Sequence, residues 1–193
     1  MLAGLIPIII LMGVYMVVMN LAAESVAGDK ERGFLNTMLI APVKRSSIAA
    51  GKSVFILLVS ILSGLSAFVG MAISLPKLGE AMQLESSFHY SITEYILLFA
   101  ITITAVFALA SILLIISTLA KDVKQATTFS PAVMMVLLVG GMLGTTEGFK
   151  PMIESLGMIN NFIPAWNAIL LMQDIIILDY SANMILITCV VNL

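Results

Sequence analysis

Apolar residues fall in long blocks along this chain, not in alternation with polar ones. Residues 2–22, 53–75 and 95–119 contain no charged side chain, and neither does the shorter block 128–144. A further apolar run, 181–193, reaches the chain end. A helix that crosses a bilayer needs ~20 residues, within a range of about 17–25. The pattern therefore predicts an all-α, polytopic membrane helix bundle forming one transmembrane domain of about five spans, the last of them truncated.

Composition agrees with the blocks. Hydrophobic residues make up 61% of the 193 and charged ones 10%, with a mean hydropathy of +1.13. Soluble domains carry roughly 25% charged residues, so a water-soluble fold could not cover its own surface with this set. The net charge of −2 offers no basic footprint for nucleic acid. A lone Cys189 excludes an intrachain disulfide, and a lone His89, in a polar stretch, leaves no histidine pair for zinc. The fourteen methionines show no paired spacing that points to copper and suit an adaptable apolar surface.

The polar connections set an orientation. Lys30, Arg32, Lys44, Arg45 and Lys52 lie in segment 28–52, and Lys121 and Lys124 follow the third run. The other two connections hold only Lys77 and Lys150. Seven basic residues against two place 28–52 and 121–125 in the cytoplasm of a cell-membrane protein, with the N-terminus outside. Residues 2–22 lack a basic leader and exceed the 7–15 apolar residues of a signal-peptide core, so they read as a span. An outside N-terminus and a truncated last run are expected of a fragment.

Segment 28–52 is the richest stretch. Asp29 is expected to cap a helix start and Glu31 to favour the positive end of its dipole. Phe34, Leu35, Met38 and Leu39 then make one apolar stripe, which Pro42 stops. Ser46 or Ser47 is expected to cap the next helix. The reading is a short amphipathic helix along the cytoplasmic face. Two roles stay open for it: an anchor on anionic lipid or a docking element for a partner.

The run Gly28-Asp29-Lys30-Glu31-Arg32-Gly33-Phe34-Leu35, then Met38-Leu39-Ile40-Ala41-Pro42-Val43 and Gly51-Lys52, resembles the type-2 ABC exporter permeases. It looks most like their sodium-efflux (Nat-type) branch, whose pattern is G-[ED]-[KR]-E-[RK]-x-x-L-E-x-L-L-x-x-P-[VL]. Asn36 departs from it where the family usually has glutamate. The resemblance implies a six-span permease, of which this chain is a part. It implies that Gly28, Asp29, Lys30, Glu31, Arg32, Phe34, Leu35, Leu39 and Pro42 form a coupling segment touching a separate ATPase subunit. ATP and magnesium would sit on that subunit and no cofactor on this chain. A second permease copy, identical or not, would complete the transporter.

Ala50-Gly51-Lys52-Ser53 imitates the end of a phosphate-binding loop, but Ser46 stands where the required glycine would be. Lys52 is expected instead to mark the membrane boundary or meet lipid phosphate.

Within the spans, Ser60/Gly64, Ser63/Ala67, Ser66/Gly70 and Gly140/Gly144 are four apart, a helix-packing signal with a dimer interface as the alternative. Thr102, Thr104, Ser111 and Ser117 either bond their own helix carbonyls or line a path. With no ionisable group in the apolar interiors, an ion-coupled secondary carrier is disfavoured. Residues 149–180 read as a segment that enters the outer leaflet and returns. The alternative is an interfacial helix with Trp166 in the aromatic belt. The same permease family has a re-entrant outer segment with a proline–asparagine element like Pro164-x-x-Asn167, which implies an outer gate. The functional reading is an ATP-driven exporter permease that is not itself an enzyme, with sodium among the cargos. A non-catalytic scaffold or immunity-type protein, and an intramembrane protease, are the alternatives.

Overall fold

The computed structural model describes residues 2–34, 44–81, 91–145, 148, 163–177, 180 and 182–192. Among them every regular element is a helix: α1 (Leu2–Ala22), a π-helical turn (Ala23–Ala27), α2 (Gly28–Glu31), α3 (Arg45–Ala81), α4 (Ile92–Leu119), α5 (Val123–Thr145), α6 (Pro164–Ile177) and α7 (Ala182–Asn192). The chain is a polytopic helical bundle. Among the described residues four helices are long and apolar enough to cross a membrane: Leu5–Glu31, Arg45–Lys77, Ile92–Leu119 and Val123–Gly141. Hydrocarbon offers no partner to a backbone amide, so only a helix or a closed barrel can pass through it.

The four long helices are longer than the apolar blocks within them, because polar residues extend each at one or both ends. The first block continues without a break through Glu31, so Asp29 lies inside a continuing helix and does not cap a new one. Similarly, α3 begins at Arg45, which puts Ser46 and Ser47 in its first turn. The preceding residue is Lys44, whose carbonyl accepts the Ser47 N–H at 2.9 Å. α5 begins five residues before its apolar block. Asp122 Oδ1 accepts the Gln125 N–H at 2.6 Å, and Gln125 Oε1 accepts the Lys121 N–H at 2.7 Å. This is reciprocal capping of one first-turn donor and one donor just before the helix.

α4 is the central helix. It packs on α3, α1, α6, α7 and α5, and buries Leu98, Ile101, Ala105, Val106, Leu109 and Leu113. α1 presents Leu11, Val14, Tyr15, Val18 and Ala22 to the core, an i, i+3, i+4, i+7 face. Its opposite face is as apolar. Ile9 is 66% exposed, and Leu58, Leu62, Met135, Val136 and Leu186 elsewhere are also more than half exposed. Such a surface suits lipid and would be an aggregation liability in water.

α6 is different in kind. Fourteen residues span about 21 Å, short of the ~30 Å hydrocarbon core. Yet Ala165, Ala168, Ile169, Met172, Ile175 and Ile176 are all buried, among α5, α4, α1 and α7. Its start lies against the middle of α5. Trp166 Nε1 donates to Val136 O at 3.2 Å. Val136 is about 20 Å along the helix from Val123 at 1.5 Å per residue. Gly140 explains the approach: a Cβ there would lie 1.9 Å from the Trp166 ring. Gly140 therefore serves a contact within the chain, and Trp166 packs on α5. Gly64 does similar work at the α3–α4 contact, its Cβ position 3.1 Å from Val106 Cγ2.

Gly140→Ala is expected to destabilise the bundle by about 1–3 kcal/mol, the usual cost of overpacking. Gly13, with open space around it, is the control. Melting temperature in detergent should fall for Gly140→Ala and stay near wild type for Gly13→Ala.

Candidate functional site at the charged end of the bundle

The end of the bundle where α1 finishes, α3 begins, α4 ends and α5 begins holds a connected set of polar contacts. It is built from the stretch that follows α1. The chain passes out of α1 through a π-helical turn, where the Gly28 N–H reaches Ala23 O. Such a widened turn loosens the regular ladder. Ser117, from α4, fills the gap. Its hydroxyl donates to Ala22 O at 2.6 Å and accepts from the Ala27 N–H at 3.3 Å. The side chain is thereby inserted into the hydrogen-bond ladder of a neighbouring helix. Small buried residues on both sides, Ala23, Ala27, Ala120 and Ala126, allow the backbones to come this close.

The four charged residues of α2 and its end each go to a different place. Asp29 pairs with Lys52 on α3, whose ammonium also donates to Ser25 O. Lys30 donates to Thr118 O and, at 3.0 Å, to Ala120 O, which satisfies carbonyls at the C-terminus of α4 where a cation is favoured. Glu31 Oε2 accepts the Val123 N–H at 3.1 Å, so its carboxylate sits at the N-terminus of α5. Arg32 turns back to Glu24 at 3.2 Å. The helix ends at Gly33, whose φ of +70° is the left-handed conformation that favours glycine. Its N–H closes on Lys30 O at 3.1 Å.

These contacts differ in weight. The Arg32–Glu24 side chains are 73% and 59% exposed, and a pair like that contributes ~0–1 kcal/mol. Asp29 and Lys52 are 23% and 18% exposed, and removing either partner strands a charge that is largely out of water. Lys52 thus binds a carboxylate of its own chain.

Of the residues that the sequence singles out, Gly28, Asp29, Lys30, Glu31 and Arg32 come together here. Phe34 stands half exposed beyond Gly33. Leu35, Asn36, Leu39 and Pro42 lie outside the described residues. Pro164 and Asn167 are apart from this cluster. Pro164 is the first residue of α6, a position where its missing N–H costs nothing. Asn167 is buried, and Thr188 of α7 donates to its Oδ1 at 2.7 Å. Thr102, Thr104 and Ser111 bond carbonyls of their own helix, at Leu98, Ile101 and Phe107. Ser117 departs from that pattern, and nothing in its sequence surroundings separates it from the other three. Asp122 is missed by sequence reasoning, and the Asp122-x-x-Gln125 spacing is the available signal for it.

The chain matches the family described as ABC-2 family transporter protein over residues 1–192. No curated protein and no solved structure matches it.

Ser117→Ala removes the bridge and leaves Ala22 O and Ala27 N–H to each other across a widened turn. A loss of about 1–3 kcal/mol is expected, read as a lower melting temperature in detergent. Lys52→Met should cost about 1–3 kcal/mol, after discount for partial exposure. Arg32→Gln should stay within about 0.5 kcal/mol. The double variant Asp29→Asn with Lys52→Met should cost less than the sum of its singles.

Proposed function

The chain belongs to the ABC-2 transporter family, and from that premise we propose that it is the permease of an ATP-driven exporter. Cargo leaves the cell by alternating access, powered by a separate ABC ATPase that carries ATP and magnesium. A second permease copy completes the unit. The carrying observation is the contact set of residues 29–31. Asp29 holds α3, Lys30 holds the end of α4 and Glu31 holds the start of α5. A force applied to the chain just beyond Gly33 therefore acts on four spans at once. That is what a coupling segment at Gly28–Arg32, Phe34, Leu35, Leu39 and Pro42 requires, and half-exposed Phe34 is available to a partner.

Orientation follows from charge. Lys30, Arg32, Lys44, Arg45, Lys52, Lys121 and Lys124 belong to the same end of the bundle, which supports a cytoplasmic location for it and an outside N-terminus. The opposite end is then outer. There Tyr180 OH donates to Glu94 Oε1 at 3.4 Å. α6 starts beside mid-α5 and finishes near that end, which supports the re-entrant reading of 149–180 and a gate at Pro164 and Asn167. Sodium is the cargo favoured by the resemblance of 28–52 to sodium-efflux permeases. ATP-dependent sodium uptake into inside-out vesicles holding both subunits tests it.

Co-purification with an ABC ATPase is expected for the wild-type chain and is expected to be lost in Phe34→Asp/Leu39→Asp. Survival of the complex in that variant sinks the coupling role, and absence of any ATPase favours the scaffold reading. A cysteine placed at Ser46, in a Cys189→Ser background, should react with an impermeant maleimide only from the cytoplasmic side.

A further inference from the structure

Beside the charged contacts lies a cavity of about 200 Å³ between the end of α1, the first turns of α3 and the end of α4. Among the described residues three cations line it, Lys30, Arg45 and Lys52, and the carboxylate nearest them, Asp29, is held on Lys52 without itself lining the space. Liquid water occupies ~30 Å³ per molecule, so the space exceeds what one or two waters fill.

The donors available in this cavity can be counted. An ammonium has three. Lys30 uses two on Thr118 O and Ala120 O, and Lys52 uses two on Asp29 and Ser25 O. Among the described residues each head is thus held by two acceptors, and a third donor has no partner there. The hydroxyls of Ser53 and Thr118 already donate to Ala49 O at 3.0 Å and Leu114 O at 2.7 Å, so an anion here is bound by the cations. Arg45 adds a planar guanidinium, whose fork matches two phosphate oxygens.

The remaining wall is apolar, with Val26, Ile48 and Leu114. The helices that supply this wall also carry exposed apolar side chains, Val54 and Phe55 on α3 and Ile115 on α4, each more than half exposed. A free phosphate has no use for such a wall, whereas a glycerophospholipid has a glycerol and acyl portion to lay against it. The cavity also sits at the polar end of spanning helices, the depth of lipid headgroups. We propose that this cavity binds the phosphate of an anionic phospholipid, with Arg45 as the clamp and Lys30 and Lys52 as a preset base. The bound lipid ties α2, α3 and α4 together at the charged end of the bundle. This site does not depend on the direction of transport or on the ATPase.

The test uses the purified full chain in mild detergent, titrated with phosphatidylglycerol, phosphatidylcholine or inorganic phosphate and read by native mass spectrometry. Phosphatidylglycerol should bind more tightly than phosphatidylcholine. Arg45→Gln should weaken phosphatidylglycerol about fivefold, the effect of one cation near an anionic lipid surface. Lys121→Gln, at the same end but outside the cavity, should leave it unchanged. Equal binding by wild type and Arg45→Gln overturns the site, as does an equal loss in Lys121→Gln, which would mean diffuse surface charge. Displacement of phosphatidylglycerol by millimolar inorganic phosphate would make this a soluble-anion pocket and overturn the lipid assignment.

Discussion

A backbone amide in hydrocarbon has nothing to bond except its own protein, and that constraint organises this molecule from end to end. Along the spans it is met by the helical ladder. At the charged end, where helices start, stop and widen, it is met by side chains. Ser117 supplies both a donor and an acceptor to the π-helical turn after α1. Lys30 covers carbonyls at the end of α4, and Glu31 and Asp122 cover N–H groups at the start of α5. Each of these side chains closes a gap that the regular ladder leaves open.

The same solutions give the bundle its mechanical character. Three consecutive residues, Asp29, Lys30 and Glu31, reach three different helices because α2 continues α1 into the space between them. A charged run in a loop would spread over solvent and do little. Here the charges are held against helix termini and a partner carboxylate or ammonium, where geometry is fixed. The π-helical turn directly precedes them, a local widening of the helix that Ser117 fills. Gly33 then ends the helix, at a position where its φ of +70° suits glycine.

The far side of the molecule works by packing. α6 is too short to span yet is buried on nearly all sides, and its approach to α5 depends on Gly140 leaving room for the Trp166 ring. The Asn167–Thr188 hydrogen bond joins α6 to α7 in surroundings where an unpaired amide would be costly. Together these contacts fix the start of α6 against α5 and α7.

Length and composition alone determined that this chain is a set of membrane helices, since a run of ~20 uncharged apolar residues has no other stable solvent. Charge position determined which connections share a face, and the Gly28–Arg32 run carried the family likeness that the match over residues 1–192 bears out at the level of ABC-2 transporters. Tertiary structure alone decided which faces meet. Lipid and protein core are both apolar, so the buried face of α1 at Leu11, Val14, Tyr15 and Val18 has no polar counterpart to betray it. Structure also decided the partners of the charged run. Asp29 reads as a cap when only its neighbours in sequence are considered. It becomes one half of a pair with Lys52 once α3 returns beside it, because a charge leaving water binds the nearest opposite charge that folding supplies.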